Sequence, residues 1–465
     1  MNRRAKKIFI TIILLAGFCL IYFSVRRPHE KLLKVNIILI TSDSLRADHL
    51  GCYGYRKNTS PCLDKISDKL TLYENCFSPA SWTIPANYSM LTSLYPPQHN
   101  VISWGAKLDV NTPNILSFLY DNGYSIGMFG NHVLFLRIIK GEFPLFLDGY
   151  KEAGDAAATT SDALSWISSQ KEKPFLAWVY YLNPHRPYSP PPPYSTLFVR
   201  KTNNKLPIKK AEEEPYGGWD SIPSLIAQNG IDNPDYYRAQ YDGDICYLDA
   251  EVGRLLEGLK KMGLFDKSLI IFTSDHGESL GEHHLYFNHT FTLFNEVIRV
   301  PLLIKYPFQK KGRKVKENVS LIDIFPTILH QLGSDIFKHL EGKSLTRPTG
   351  PLRAVLSCYE TGNISALICG RWKVIQYPFE KNLRNGYIKL FFPGYPGSRL
   401  QLFDIRADPN EENDVKDKEK QLHLWMTRKL KDLEAALKRL NYKSEDKIEL
   451  NGEMMKKLKS LGYTQ

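Results

Sequence analysis

A continuous apolar run at residues 33–41, LKVNIILIT, places the tightest limit on how this chain can fold. Such a run is typical of a strand that is buried on both faces, as in a parallel sheet covered by helices. Similar runs at 124–129, 175–181, 268–273 and 300–305 alternate with helical patterns, of which the amphipathic stretch at 236–263 is the clearest. This alternation predicts an α/β fold, with a large, mixed, mostly parallel sheet sandwiched by helices.

The pattern changes near residue 350. Short strand-like runs at 354–358, 364–369, 372–376 and 400–403 predict a second, smaller antiparallel sheet. Apolar residues spaced three and four apart between 422 and 440 predict an amphipathic helix packed on that sheet. A dimerising coiled coil is the weaker interpretation, because only about three heptads are present. We therefore expect a main domain at 35–349 and a C-terminal subdomain of sheet and helix at 350–465.

The amino-terminal segment predicts a membrane anchor. Residues 8–25 carry no charge, and basic residues stand on both sides of them. Eighteen helical residues at ~1.5 Å each span about 27 Å, close to the ~30 Å core of a bilayer. A cleaved signal peptide is the alternative, but no convincing small-residue cleavage site follows. We expect a basic segment at 1–7, a single-pass signal anchor at 8–25, a linker at 26–34, and the remaining chain on the extracytoplasmic side.

The charge composition does not identify a partner. The chain has 61 basic and 49 acidic residues, a formal net charge of +12. The basic residues are dispersed, so a solvated basic surface is a better interpretation than a nucleic-acid-binding one. We expect no nucleic-acid partner, and a membrane contact through the N-terminal helix alone.

Acidic and histidine side chains follow two of the predicted strands. Asp43 comes directly after the first strand, and Asp275 and His276 come after the strand at 268–273. In open α/β sheets, ligands bind beyond the carboxyl ends of the strands, and these residue types can hold a divalent cation. Two alternatives are open: Asp43 as the cap of a following helix, and a charged surface loop formed by Glu278, Glu282, His283, His284 and His289.

Thr83 stands at the predicted start of another helix, two residues before Pro85. Threonine is a good helix N-cap and proline is favoured in the first turn, so taken alone Thr83 is best interpreted as a cap. The same position favours an anion such as phosphate or sulfate, because backbone N–H groups and the helix dipole point at it. A nearby cation would also make the threonine oxygen a nucleophile. His185, in a proline-locked turn after the strand at 175–181, is equally a structural histidine or a substrate ligand.

Taken together, the motifs resemble the sulfatase family of the alkaline phosphatase superfamily. The matching segments occur in one order along the chain: DSLRADH, LTSLYPPQHNV, HRPYSPP, SDHGESLGEHH, IRVPLLI, SLIDIFPTIL and LFDIRADPNEEND. The resemblance implies a large α/β domain followed by a smaller C-terminal sheet domain. It also implies hydrolysis or transfer of a sulfate or phosphate ester at a metal-bound nucleophile.

The resemblance assigns roles to individual residues by match of motif. One divalent cation, Ca, Mn or Zn, is the implied cofactor. The implied metal ligands are Asp43, Thr83, Asp275 and His276. The implied catalytic residues are Thr83, His185 and His289, and the implied substrate-binding residues are Asn87, Asn131 and His132.

Departures from the family pattern bear on the reaction. The family carries Cys or Ser at the nucleophile position, in the pattern Cys/Ser-x-Pro-Ser-Arg, and oxidises it to formylglycine. Here that position is Thr83, and Ala86 and Asn87 replace the Ser and the Arg. The methyl group of threonine prevents oxidation to an aldehyde, so no formylglycine is expected. One acid, a threonine and an Asp-His pair instead resemble the metal site of lipid-headgroup transferases and phosphodiesterases of the superfamily.

From these matches and departures we predict a metal-dependent hydrolase. It would cleave or transfer a phosphate monoester or diester through a covalent intermediate on Thr83. The alternatives are a sulfuric ester hydrolase and a lipid-headgroup phosphotransferase, and a non-catalytic binding module is the least favoured. The expected substrate is a small-molecule, glycan or lipid-headgroup ester.

Overall fold

The computed structural model describes residues 32–170, 172–210, 218–290, 292–334, 336, 340–359, 364–377, 400–439, 442 and 452. The predicted basic segment at 1–7, the anchor at 8–25 and most of the linker lie outside these residues. Within them, no helix has both the length and the apolar character needed to cross a bilayer.

Strands and helices alternate through most of the described chain. The strands are β1 (Ile37–Ser42), β2 (Thr71–Phe77), β3 (Ser125–Gly130), β4 (Gly149–Glu152), β5 (Phe175–Tyr181), β6 (Ile208–Lys209), β7 (Ile222–Pro223), β8 (Leu269–Ser274), β9 (Ser279–Leu280), β10 (Tyr286–Asn288), β11 (Arg299–Val300), β12 (Leu302–Lys305), β13 (Arg313–Ser320), β14 (Ala354–Tyr359), β15 (Ile364–Cys369), β16 (Trp372–Gln376) and β17 (Leu400–Asp404). The α-helices are α1 (Pro61–Ile66), α2 (Thr83–Thr92), α3 (Pro96–His99), α4 (Ile115–Asp121), α5 (Val133–Glu142), α6 (Ala156–Ser169), α7 (Tyr194–Leu197), α8 (Pro234–Lys261), α9 (Asn295–Ile298), α10 (Ile324–Gln331) and α11 (Lys420–Leu437).

The largest sheet has nine strands, in the order β11–β2–β12–β8–β1–β5–β3–β4, with β13 beside β2. The central strand β1 runs parallel to both β5 and β8, and β3 runs parallel to β5 and β4. The strand β12 runs antiparallel to β8 and β2. The predicted fold class, a mixed and mostly parallel sheet, is confirmed.

Both faces of this sheet are covered by helices, which explains why β1 has no polar alternation. Ile37 and Leu39 pack into one core with α2, α4, α5 and α10, whereas Ile38 and Ile40 pack into a second core with α1, α6 and α8. These four side chains are at most 2% exposed. Successive side chains of a strand point to opposite faces, so both faces of β1 must be apolar.

The smaller sheet is antiparallel, in the order β14–β15–β16–β17. Helix α11 packs Met426, Leu430 and Leu437 against it. The predicted second sheet is therefore confirmed as well.

A buried ion pair lies between the small sheet and α9. Lys373 on β16 places its Nζ 2.8 Å from Glu411 Oε1 and 3.2 Å from Asn295 Oδ1. Glu411 Oε2 accepts the Asn295 backbone N–H at 2.6 Å. Charges buried in this way are tolerated only when they are paired and hydrogen-bonded. The pair fixes the small sheet against α9, whose Val297 carbonyl accepts the Gly277 N–H at 2.6 Å, one residue beyond His276.

Strand register brings three chain segments to one edge of the large sheet. Ser42 on β1 pairs with Ser274 on β8 and with Tyr181 on β5. The next residues continue this alignment, since the Asp43 N–H bonds to Tyr181 O at 2.9 Å and the Asp275 N–H to Ser42 O at 3.2 Å. The side chains that follow β1 and β8 therefore leave the sheet together.

Candidate active site

Asp43, Asp275 and His276 converge at this edge. One potential ligand atom from each lies within 4.8 Å of the others, and all three side chains are buried. His276 Nε2 is 3.5 Å from Asp43 Oδ1 and 3.6 Å from Asp275 Oδ2. With a proton on Nδ1, His276 donates to Gly277 O at 2.9 Å, which leaves the Nε2 lone pair facing the carboxylates.

This donor set fits a divalent cation. Burial, together with the negative charge of Asp275, raises the pKa of Asp43 well above its ordinary value. Two carboxylates and an imidazole form a mixed oxygen and nitrogen set that suits Ca²⁺, Mn²⁺ or Zn²⁺. A cation bound between the carboxylates would offset their mutual repulsion, so the residues present fit the metal that the family pattern implies.

Neutral groups hold the two carboxylates in place. The Tyr180 hydroxyl lies 3.1 Å from Asp43 Oδ2 and 2.8 Å from Asp275 Oδ2. Ser44 donates its hydroxyl to Asp43 Oδ1 at 2.9 Å, and its backbone N–H reaches Asp275 Oδ1 at 3.3 Å. Such outer contacts orient metal ligands. The sequence pattern does not point to Tyr180 or Ser44; the available signal is that both stand at the carboxyl ends of parallel strands.

Thr83 is the first residue of α2, and it is not the cap of that helix. The N-cap is Trp82, which has an extended backbone and makes no side-chain cap bond. Thr83 Oγ1 instead lies 3.4 Å from His276 Nε2, beside the two carboxylates. The interpretation of Asp43 as a helix cap is also wrong, because the next helical turn begins at Ala47 with Arg46 at its N-cap.

Four buried imidazoles form one wall of the site. The ring of His276 is 4.2 Å from that of His289, His289 is 5.3 Å from His185, and His185 is 6.4 Å from His132. His185 Nδ1 lies 2.5 Å from Arg186 O. Burial, then the positive charge of neighbouring groups, lowers the pKa of His185 and of His289 well below the ordinary value. Both rings are therefore neutral at pH 7.

Glu278, one of the charged residues that follow His276 in sequence, supports His289. Glu278 is buried, and its Oε1 lies 3.1 Å from His289 Nδ1. Burial raises the pKa of Glu278 to about 7, against the opposing charge of Arg186. Arg186 is itself buried and donates to Phe287 O at 2.9 Å. The sequence pattern offered Glu278 only as one member of an acidic cluster and gave no signal for Arg186.

Of the predicted substrate-binding residues, Asn87 and His132 lie beside the carboxylates, whereas Asn131 lies at the loop after β5. Asn87, one turn along α2, donates to Thr83 O at 2.8 Å and to Asp275 Oδ2 at 3.2 Å. His132 Nε2 lies 3.6 Å from Asp43 Oδ2, while its Nδ1 accepts the Phe135 N–H. Asn131 contacts the loop after β5, where its Oδ1 accepts the Leu182 N–H at 2.7 Å. Contact of these residues with a substrate stays a prediction.

The other charged groups near His276 in sequence point elsewhere. Each pairs with a partner outside the triad: Glu282 with Arg46, His283 with Glu296, and His284 with Asp220. The reason is local, because the short hairpin of β9 and β10 carries this segment away from the carboxyl end of β8.

Comparison with known proteins identifies a family. The Sulfatase family model matches residues 35–334, about two thirds of the chain. N-acetylglucosamine-6-O-sulfatase of Bacteroides thetaiotaomicron is 22% identical over 473 residues, which cover 83% of each chain. A solved complex of a protein with its substrate D-glucosamine-2-N,6-O-disulfate superposes with a TM-score of 0.69 at 18% identity, covering 89% of this chain and 100% of that one. The phosphonate monoester hydrolase of Agrobacterium radiobacter gives 0.65 at 22% identity, covering 87% and 96%.

Removing the Tyr180 hydroxyl is expected to weaken metal binding. In Tyr180→Phe both carboxylates lose a contact that orients them, so we expect the affinity for Mn²⁺ to fall about 10- to 100-fold. Competition titration with a chelating dye measures it. The matched control is Tyr181→Phe, whose hydroxyl bonds to Thr160 Oγ1 at 2.8 Å and not to the carboxylates. Unchanged affinity in Tyr180→Phe would show that this hydroxyl does not orient the ligands.

His283 is expected to make stability fall as the pH rises. Its Nδ1 lies 3.0 Å from Glu296 Oε1 and its Nε2 3.2 Å from Glu411 O, so both nitrogens donate. Although burial alone lowers it, the Glu296 hydrogen bond and charge raise the pKa of His283 to about 9. The stabilisation is complete below the unfolded pKa near 6.5 and is lost as the pH rises through 9.

Denaturant titration at each pH measures this effect against His283→Gln. The wild-type advantage in unfolding free energy should shrink by about 2–3 kcal/mol between pH 6.5 and 9. The control is His284→Gln, since His284 and its partner Asp220 are exposed and a pair of that kind contributes little. A wild-type advantage that is constant over this range would contradict the assignment of His283 as an imidazolium.

Proposed function

The chain belongs to the sulfatase family and is a sulfatase-like ester hydrolase, and from this membership we propose that it hydrolyses a sulfuric or phosphoric ester with Thr83 as the nucleophile. The observation that carries the proposal is the position of Thr83 Oγ1, 3.4 Å from His276 Nε2 at the start of a helix. An alcohol there meets both requirements for attack: a cation-binding triad beside it and backbone N–H groups that favour an oxyanion.

The metal would be held by Asp43, Asp275 and His276, with Thr83 Oγ1 completing the set. When bound there, a divalent cation supplies Lewis-acid polarisation of the ester and lowers the proton affinity of the threonine oxygen. The contacts of Tyr180 and Ser44 orient the carboxylates before the substrate arrives.

The remaining chemistry uses groups of the chain itself. Thr83 Oγ1 forms a bond to the sulfur or phosphorus while the bond to the leaving oxygen breaks in line. A neutral histidine, His185 or His289, accepts the hydroxyl proton and passes it to the leaving oxygen. The N–H groups in the first turn of α2 stabilise the charge on the equatorial oxygens. Water then attacks the same sulfur or phosphorus, the bond from that atom to Thr83 Oγ1 breaks, and the histidine carries the proton of the water to the threonine oxygen.

The names of the relatives favour a sulfuric ester, which the sequence alone placed second. N-acetylglucosamine-6-O-sulfatase is named for a sulfate on a sugar, and the solved complex contains a sulfated glucosamine. We therefore propose a sugar-linked sulfuric ester as the first substrate class.

A phosphoric ester is the second class, and Thr83 is the observation that favours it. Threonine cannot become an aldehyde, so a sulfated or phosphorylated intermediate must be resolved by attack at the central atom. The structural neighbour named as a phosphonate monoester hydrolase shares the fold. A lipid-headgroup transferase would differ only in using an alcohol in place of water.

Replacing Thr83 and measuring ester turnover distinguishes catalysis through Thr83 from a non-catalytic binding role. We expect Thr83→Ala to lose at least about 10³-fold in turnover of aryl esters, because no other group replaces the attacking oxygen. The matched control is Thr92→Ala on the same helix, whose hydroxyl donates to Tyr88 O and accepts the Leu94 N–H. Assays with the aryl sulfate, the aryl phosphate and the bis-aryl phosphate, each with Mn²⁺, rank the substrate classes.

Intact-protein mass spectrometry checks the covalent step. A mass gain that appears with substrate in the wild type and not in Thr83→Ala supports the nucleophile. Turnover retained by Thr83→Ala would rule Thr83 out as the nucleophile. If the folded wild type turns over none of the esters in the presence of metal, a non-catalytic binding module is favoured.

We also propose that residues 8–25 anchor the chain in a membrane, with the catalytic domain on the extracytoplasmic side. The support is the uncharged length of the segment and its basic flanks. Protease added to intact cells should digest the catalytic domain, and protection of that domain would contradict the orientation.

A further inference from the structure

A polar cleft of about 380 Å³ lies where the large sheet meets the small one. We call it the junction cleft. It is bounded by β2 and β13, the segment 295–299, the turn between β15 and β16, and the residues after β17. Its charged lining residues are Arg299, Lys316, Arg371, Arg406 and Glu74.

Asparagine side chains connect the segments that form the walls of the junction cleft and fix their positions. Asn318 on β13 donates to Gly370 O of the small sheet at 2.9 Å. Asn295 donates to Pro409 O at 3.0 Å, and Asn75 donates to Lys316 O at 2.9 Å. Because polar bonds between backbone and side chain define the walls, the cleft is formed before any ligand binds, as ligand sites usually are.

Four cationic side chains against one acidic side chain line this space, and two of them lack a partner. Arg371 is paired with Asp404, and Arg299 donates Nε and Nη2 to Glu74 O. In the part of the chain that the structure describes, the side chains of Lys316 and Arg406 make no hydrogen bond or ion pair. A concave surface lined by one sign of charge concentrates counter-ions of the other sign.

We propose that the junction cleft binds a tetrahedral oxyanion, a sulfate or phosphate group, away from the catalytic triad. Arginine forks bind such groups in bidentate fashion and lysine binds them as a point charge. The volume suits one such group with part of the molecule that carries it. The group can come from free inorganic anion or from a second ester on the substrate, since both present the same oxygens.

The cleft adjoins the catalytic segment through shared backbone. Asn295 and Arg299 line the cleft, and Val297 between them accepts the Gly277 N–H. A ligand in the junction cleft would therefore lie against the segment that supports the loop after His276, without touching the metal ligands.

Calorimetric titration of the full chain in detergent tests the site. The protein carries Thr83→Ala to prevent turnover, ionic strength is fixed, and the probes are inorganic sulfate and D-glucosamine-2-N,6-O-disulfate. The cleft variant is Lys316→Gln with Arg406→Gln. The control is Arg200→Gln with Lys267→Gln, which removes the same charge from positions outside the cleft that are exposed, as Lys316 and Arg406 are.

We expect the cleft variant to lose one class of anion site, with at least about tenfold weaker binding, because two charge-assisted contacts are removed. The control should stay within about twofold, as expected for screened surface charge. Loss with inorganic sulfate alone assigns the cleft to free oxyanion, and loss with both probes assigns it to esterified groups as well. Equal binding in the cleft variant and the wild type, or an equal loss in both charge variants, would overturn the proposal.

Discussion

The candidate active site depends on two carboxylates of like charge that the fold buries side by side. Asp43 and Asp275 each stand one residue beyond the end of a strand, and the two strands are adjacent and parallel. Because Ser42 pairs with Ser274, the register places the two aspartates next to each other. At short range in a protein interior their repulsion is worth several kcal/mol, so a proton or a cation must be present. Burial, and after it the negative charge of Asp275, raises the pKa of Asp43 well above its ordinary value. The surrounding hydroxyl, amide and imidazole groups contact these carboxylates in the way that groups around a divalent metal site orient its ligands.

The rest of the architecture supplies partners to this pair. Strand β5 contributes Tyr180, which touches both carboxylates, and the start of α2 contributes Thr83. The small sheet contacts the site only indirectly. The buried pair of Lys373 and Glu411 fixes α9, and α9 supports the loop that begins at Gly277. Contacts from both sheets therefore reach the segments around the candidate site.

Much of the fold could be predicted from the sequence, because a doubly covered strand has a distinctive composition. The apolar runs located β1, β3, β5 and β8, and the rule that ligands bind beyond strand ends pointed to Asp43 and Asp275. The same reasoning failed for residues whose role depends on a distant neighbour. Tyr180 reads as an ordinary aromatic strand residue. The local pattern alone gives Thr83 as a helix cap, whereas in the structure the N-cap is Trp82; it was the match to the family's nucleophile position that singled Thr83 out.

The sequence by itself determined the alternation of strands and helices, the second sheet, the family, and the chemistry open to residue 83, since a threonine methyl group excludes an aldehyde. Only the tertiary structure decided which ionisable groups share the site. It separated Glu282, His283 and His284 from the triad and brought Glu278, His289 and His185 beside it. The physical reason is that composition and periodicity fix how each segment folds, whereas contacts between segments far apart in sequence depend on strand order, register and the direction in which each loop leaves the sheet.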